Sequence, residues 1–448
     1  MTPSDVDVAL SGEAGDRGLR ALIHGPGRTA LVGTLRSMIG PERELRSCRL
    51  RRTHYKPGRK LATYYDVSIR GVPRPIPIAA TWFAGDAHVD PVQLSHAEDD
   101  LKRSLVPTSF ERLWSLDESG AMLVLAAPLD PAFPHLRSFV DSARVADVLS
   151  LSAARATGEN TRPAVRFLRY RPGQRQVLEY RGGLPEDIVL KLYKPGALRA
   201  VADRVVAFAQ LTGANGSSPV SAVSPAAVID DSDAIVYHRL PAQPLSRLLR
   251  DGFGGDHLHR VGRWLRTIHE IRPAPDSDFE ERDVAALVNA VNRACAGMSH
   301  LRPDYAAYAS VIVDCAIQRL ATLEQEAPAL THGDIKADHV LCGSDRLTVI
   351  DLDRCAVADP AADLGKLLAD LRWWDWLNGR SDSDSQAAAL LSGYGPARAR
   401  VARARLYAAI LLVKMAGRRT SLARYDWAAR TGALLTLAAR AAGAGRGI

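Results

Sequence analysis

The chain is poor in the features that would place it outside a reducing, aqueous compartment. Its 448 residues include five cysteines, Cys48, Cys295, Cys315, Cys342 and Cys355, scattered, odd in number and without a C-x-x-C pair. That argues against a disulfide framework and fits free thiols in a reducing cytosol. No stretch approaches the ~18 consecutive apolar residues of a membrane span, and the opening MTPSDVDVALSGEAGDRG has no basic segment followed by an apolar run. The chain is therefore read as cytoplasmic, with no membrane partner. Lysine and arginine exceed the acids by 58 to 50, giving a formal net charge of +8 and a pI near 9.3. No compact Lys/Arg block with interleaved aromatics occurs, which argues against nucleic acid as a partner. The surplus is read as solvated surface, with attraction for polyphosphate or anionic substrates as the alternative. The patterns G-x-x-x-x-G-K-[ST], G-x-S-x-G and H-E-x-x-H are missing as well, so the chemistries that those motifs carry are not expected.

What is present begins with residues 331–363, THGDIKADHVLCGSDRLTVIDLDRCAVADPAAD. Two short apolar runs, Val340-Leu341 and 347–350, flank a Gly-Ser-Asp turn and read as a hairpin. One acid, Asp334, stands in the loop before the first strand and another, Asp351, just after the second. A cation bridging them would anchor a polyphosphate, which is a phosphoryl-transfer layout.

The order His332-Gly333-Asp334, His339, Ile350-Asp351, Asp359-Pro360, Asp363-Leu364 resembles the aminoglycoside phosphotransferase and choline kinase family, whose fold is protein-kinase-like. The resemblance implies that Asp334 is the catalytic-loop acid that accepts or orients the acceptor's hydroxyl proton, and that Asp351 is the metal ligand. It makes His332 and Asp363 structural, Asp363 as the brace of the catalytic loop. The family pattern places Asn where this chain has His339, a second candidate metal ligand. Magnesium prefers oxygen, so a nitrogen there would loosen the site or admit manganese. Lys336 stands two residues after Asp334, where protein kinases place a lysine that neutralises the moving phosphoryl group.

The sequence also repeats itself. THYKPGRKLATYY at 53–65 matches LRYRPGQRQVLEY at 168–180, then 78–83 matches 188–193 and 117–124 matches 230–237, at offsets between 110 and 115 residues. Three matched pieces in one order predict that residues 26–145 are a second, degenerate copy of a small sheet-rich lobe. In the later copy Lys191 follows three apolar strand residues and resembles the kinase lysine on the α and β phosphates of ATP. The earlier copy has Thr81 there, which cannot supply that charge. The segment 197–211 is predicted helical. In kinases this helix carries a Glu that pairs with the lysine. Its only acid is Asp203, the candidate partner, with Glu179 on the preceding strand in reserve.

The stretch 234–241 resembles the hinge strand, so Tyr237, His238, Arg239 and Leu240 are expected to offer backbone groups to adenine. Helices are predicted at 258–271, 283–301, 305–326, 364–376, 397–417 and 425–442. Trp373 and Trp376, with Asp375 beside them, are candidate contacts for a sugar or amino-sugar acceptor.

The expectation is an α+β chain with a bilobal protein-kinase-like fold preceded by the degenerate lobe. Its divisions are a leader at 1–25, the degenerate lobe at 26–145, a linker at 146–163, a small lobe at 164–240 and a helical lobe at 241–448. The expected activity moves the γ-phosphate of ATP, with Mg²⁺ or Mn²⁺, to a hydroxyl of a small molecule such as a sugar, amino sugar or antibiotic. Two alternatives stand beside it. One is a kinase of Ser or Thr hydroxyls on a peptide, with the extra lobe holding a protein or peptide partner. The other is a non-catalytic scaffold of pseudokinase type.

Overall fold

The computed structural model describes residues 2–85, 89–103, 109–141, 163–184, 186–213, 220–380, 383–419 and 422–444. They fall into two compact units: Met1–Arg199 with Ala226–Arg239 and Ser421–Trp427, and Ala200–Pro225 with Leu240–Thr420 and Ala428–Ile448.

The first unit opens differently from expectation. Residues 1–25, read as a leader, form the helices Pro3–Ser11 and Gly15–Ile23, and a third helix, Pro26–Ile39, follows. Thr2 and Asp5 cap the first helix reciprocally, each side chain accepting from the other's backbone N–H at 3.2 and 2.9 Å. Leu10, Leu19, Leu22 and Ile23 are fully covered. A Cβ at Gly18 would lie 2.8 Å from Ala9 Cα, so glycine lets the first two helices touch. The segment Ser421–Trp427 belongs to the same unit: Arg20 donates to Tyr425 O at 2.9 Å, and Trp427 Nε1 donates to Asp16 at 2.8 Å.

Two five-stranded antiparallel sheets complete this unit. The first contains β1 (Leu45–Lys56), β2 (Lys60–Ile69), β3 (Ile76–Phe83), β4 (Trp114–Leu116) and β5 (Met122–Ala126), in the order β1-β2-β3-β5-β4. The second contains β6 (Ala164–Arg171), β7 (Arg175–Arg181), β8 (Ile188–Leu192), β9 (Ala227–Ile229) and β10 (Ala234–His238), in the order β6-β7-β8-β10-β9. The orders are the same. Each sheet opens on a hairpin closed by a Pro-Gly turn, with Lys56 opposite Lys60 and Arg171 opposite Arg175. Gly58 and Gly173 sit in the left-handed region at φ 60° and 67°, which these turns require. In each case a helix stands in the chain between the third and fourth strands, Pro91–Arg103 and Leu198–Gly213.

The sheets share apolar contacts. Ala62, Tyr64 and Ala79 of the first cluster with Ala127 and with Tyr170 of the second. The chain leaving β5 then runs under the second sheet, where Phe133, Leu136 and Phe139 pack on Leu178, Tyr180 and Leu190. Tyr170 and Tyr180 donate to Leu129 O and Phe139 O, each at 2.6 Å. Residues 127–141 are thus core for both sheets. The expected linker at 146–163 lies outside the described residues except for Pro163.

Asp130 fastens this junction. Its carboxylate accepts from Gly173 N, Gln176 Nε2 and Ala132 N at 3.0, 2.6 and 3.1 Å. Burial nonetheless pushes its carboxyl up to about 6, because three donors do not replace full hydration. The folded state therefore holds a proton there that the unfolded chain releases, and that share of stability is lost as pH rises from about 4 through about 6. Asp130→Asn cannot titrate. Chemical denaturation should show the stability difference moving in the variant's favour by ~1–3 kcal/mol between pH 4 and pH 7.

The second unit is mainly helical. Gly255–Ile268, Val284–Leu301, Pro303–Thr322, Pro360–Leu377, Ser383–Tyr394 and Arg398–Arg419 surround two small sheets. The expected hairpin forms as Val340–Cys342 and Leu347–Val349, antiparallel with Val340 opposite Val349. The strand Ala329–Thr331 pairs with Ala356–Ala358. The central helix Arg398–Arg419 is covered along much of its length, with Ala404, Ala408, Ile410, Leu412 and Val413 at or near zero exposure. Gly365 faces it so closely that a Cβ would meet Ala404 O at 2.5 Å. The α+β class expected from the sequence holds. No helix among the described residues is long and apolar enough to cross a membrane.

Candidate active site

The loop following Ala329–Thr331 is built on one carboxylate. Asp363, on the first turn of Pro360–Leu377, accepts from His332 N at 2.5 Å and Gly333 N at 2.9 Å. One carboxylate thus holds both backbone donors of a tight loop, the His332 N–H inside and the Gly333 N–H nearer solvent. Gly333 has φ +74°, and a Cβ there would lie 2.0 Å from Arg354 O. The position therefore admits only glycine, for shape and for dihedral together. His332 lies wholly inside. Its Nδ1 accepts from Asp334 N at 3.3 Å and its Nε2 faces Ile350 O at 3.1 Å, so Nε2 carries the proton and the ring ties the loop to the strand that leads to Asp351. Farther along, Asp370 accepts from Ala337 N at 2.9 Å and from Trp374 Nε1 at 3.2 Å. Ser246 donates to Asp338 at 2.5 Å. His269 lies behind Asp363, its Nε2 3.6 Å from Asp363 Oδ2 and its Nδ1 2.8 Å from Tyr394 Oη. It is wholly buried and packs behind the loop.

This scaffold leaves Asp334 partly exposed. Its carboxylate lies 3.3 Å from Lys366 Nζ and 4.0 Å from Lys336 Nζ. Burial alone would raise its pKa, but the charges of Lys366, Lys336 and His339 outweigh that and hold the carboxyl well below the usual carboxylate range.

Asp351 has backbone angles of 64° and 54°, in the left-handed region and without being glycine, a conformation that few residue types besides Asn and Asp adopt readily. His339 Nε2 lies 3.2 Å from Asp351 Oδ2, and the His332 and His339 rings stack at 5.9 Å. Burial lowers the His339 pKa, with Asp351 opposing the shift. His339 Nδ1 is buried with no hydrogen-bond partner. A metal-bound imidazole regularly donates its other N–H to a fixed acceptor, and His339 has none for Nδ1. The 3.2 Å contact fits donation from Nε2 to Asp351, an arrangement in which the imidazole positions the carboxylate. Among the described residues no three His, Cys, Asp or Glu side chains form a metal cage. A cation at Asp351 would draw its remaining oxygens from phosphate and water, as Mg²⁺ beside nucleotides does.

Of the expected nucleotide contacts, Lys191 lies on β8, 8% exposed, with its Nζ 5.8 Å from the Tyr193 ring centre. Asp203 is half-buried on the helix Leu198–Gly213. Glu179, the reserve partner, is engaged by arginines instead: Arg239 at 2.7 Å, Arg181 at 3.0 Å and Arg166 at 3.9 Å. In the hinge window Tyr237 is half-buried, and His238 pairs with Glu186 at 2.7 Å. The Arg239 side chain is a brace between Glu179 and Asp187. Leu240 begins the second unit's part of the chain.

The expected acceptor wall is corrected. Trp373 is 8% and Asp375 3% exposed. Gln386 donates to Asp375 at 3.2 Å, and Trp373 stacks on Trp376 at 5.5 Å. Arg430 covers Trp376 at 5.2 Å. Trp373 and Asp375 are thus buried and Trp376 is half-buried beneath Arg430, and packing within the unit accounts for all three. Sequence reasoning missed Lys366 and Asp370. Both recur at helical spacing after Asp363, on the face that must meet the loop, so the signal was available.

The sequence matches the model of a family described as the phosphotransferase enzyme family over residues 172–404. No curated protein matches the chain. Among solved structures, a choline/ethanolamine kinase family protein from Mesorhizobium loti is similar at 15% identity and a TM-score of 0.44, covering 66% of this chain and 94% of its own. A choline kinase from Streptococcus pneumoniae is similar at 16% and 0.43, covering 62% and 93%. An aminoglycoside phosphotransferase from Streptomyces rimosus, in complex with ADP and streptomycin, is similar at 19% and 0.40, covering 59% and 97%.

Proposed function

Because the chain belongs to the phosphotransferase enzyme family, we propose that it moves the γ-phosphoryl group of ATP onto a hydroxyl of a small molecule, with Asp334 receiving the hydroxyl. The observation that carries this reading is the braced loop: two backbone N–H groups held on Asp363 fix Asp334 in place beside the His339–Asp351 pair. Asp351 would hold the cation on the nucleotide, Lys191 its phosphates, and Lys336 the charge on the transferring group. With its carboxyl so far below neutrality, Asp334 accepts a hydrogen bond and orients the hydroxyl. It is a weak base in the ground state, and catalysis comes mainly from positioning and charge neutralisation.

His339, on this reading, orients Asp351 by donating to it. Asparagine can make the same bond, so His339→Asn should keep turnover within about tenfold of wild type while Asp351→Ala loses it. Steady-state assays across a Mg²⁺ titration decide the point. If His339→Asn is as dead as Asp351→Ala, the imidazole is a ligand after all.

A second reading, transfer to Ser or Thr on a peptide, is favoured by one feature of the first unit. A groove of about 1200 Å³ runs along β6, an edge strand, and is lined by seven arginines, including Arg52, Arg169 and Arg171, against a single acid, Asp66. Every residue from Val165 to Arg171 lines it, so the strand presents its edge and not only one face. An extended acidic segment is the partner that such an edge suits.

A further inference from the structure

The charge around Asp334 is lopsided in a way that the phosphoryl-transfer machinery does not account for. Lys336 belongs to the catalytic loop and already faces the transferring group. A second lysine, Lys366, comes from the helix Pro360–Leu377 and approaches Asp334 to 3.3 Å. A third, Lys414, comes from Arg398–Arg419, the helix packed along it. Arg418 follows one turn later on the same helix, and Arg354 lies in the short turn after Asp351. Two lysines thus lie within 4.0 Å of Asp334, and Lys414 and Arg418, on the helix packed along that of Lys366, interact electrostatically with the same carboxylate and with Arg354.

Lys414 is the informative member. It is largely covered, and burial, with Lys366 and Arg418 adding repulsion, pushes its ammonium down to about 8. Arg418 is depressed as well, by burial and by Arg354. Keeping a desolvated lysine beside other cations destabilises a fold, and a bound anion beside Lys366 and Lys414 would relieve that repulsion. On the proposed reading Lys336 and a cation at Asp351 answer the transferring phosphate, and Lys414 has no part in that chemistry.

We propose that the acceptor is itself an anion: a hydroxylated molecule carrying a carboxylate or phosphate that Lys366 and Lys414 hold beside Asp334. This rests on the phosphotransferase reading and narrows it. The bond between the γ-phosphorus and the bridging oxygen breaks, ADP leaves, and a new P–O bond forms to the acceptor's oxygen. The hydroxyl proton departs through Asp334 to solvent. An amino sugar, cationic at neutral pH, meets repulsion at this site, which separates the chain from enzymes built around an acidic cleft.

The test uses the full chain with Mg²⁺-ATP and matched acceptors. A hexose, an inositol and a nucleoside are each supplied in neutral, aminated, carboxylated and phosphorylated form where the chemistry allows, and ADP release is followed. The expected result is at least a tenfold higher kcat/KM for an anionic form than for its neutral counterpart, with the carboxylated and phosphorylated arms identifying the anion. Lys414→Met should reduce that ratio at least tenfold, and Lys414→Arg should retain it. Equal or better turnover of a neutral or aminated form overturns the proposal, and so does turnover of none while nucleotide still binds. Failure to bind nucleotide at all overturns the reading beneath it as well.

Discussion

Asp334→Ala is expected to lower kcat for phosphoryl transfer by about 10³-fold while changing the affinity for Mg²⁺-ATP less than threefold. Of the groups assigned to the nucleotide, the carboxylate approaches only Lys336, at 4.0 Å. Its neighbours are Lys366 and Lys336, so removing it takes the hydroxyl's orientation and leaves the phosphate site standing. Removing it also frees two lysines that Asp334 partly neutralises. The variant should therefore bind anions at least as well as wild type, and a loss of nucleotide binding on this substitution would mean that Asp334 belongs to the cation site. Single-turnover transfer and equilibrium nucleotide binding on the same preparation separate the two effects.

Asp363→Ala is expected to be the most destabilising change near the site. Asp363 is 2% exposed and accepts from the backbone N–H groups of His332 and Gly333. Truncation leaves the buried His332 N–H unpaired and gives the more exposed Gly333 N–H to water, at a cost of ~1–3 kcal/mol in unfolding free energy. It also leaves His269 without the carboxylate it faces at 3.6 Å. Because the loop positions Asp334, turnover should fall by at least about 100-fold even at temperatures where the variant is folded. Asp363→Asn keeps one acceptor and turns an N–H toward the other donor, so it should recover only part of the stability. Denaturant melts with activity measured on the folded fraction distinguish lost positioning from lost fold.

The loop around Asp334 was legible because its determinants are local. A glycine at φ +74° between a buried histidine and an acid, with a hairpin and a second acid at fixed distances, is written within 33 residues of chain. The hairpins with Pro-Gly turns were legible for the same reason. Residues 1–25 were not. Their glycines and acids look like a solvated tail, and only the covering of Leu10, Leu19 and Leu22 by the rest of the unit makes them helices. Asp375 misled for the converse reason. An acid between tryptophans looks exposed until Gln386, brought in by the next helix, supplies its donor. Lys414 was out of reach altogether, since its significance depends on Lys366 and Asp334, some 48 and 80 positions earlier in the chain.

The account stands or falls on whether Asp351 anchors a cation that carries the nucleotide to Asp334. Calorimetric titration of ATP into the full chain, with and without Mg²⁺, tests this directly. Saturable binding that depends on Mg²⁺ in wild type and disappears in Asp351→Ala is the predicted result. Binding that ignores Mg²⁺, or that Asp351→Ala leaves intact, would contradict it.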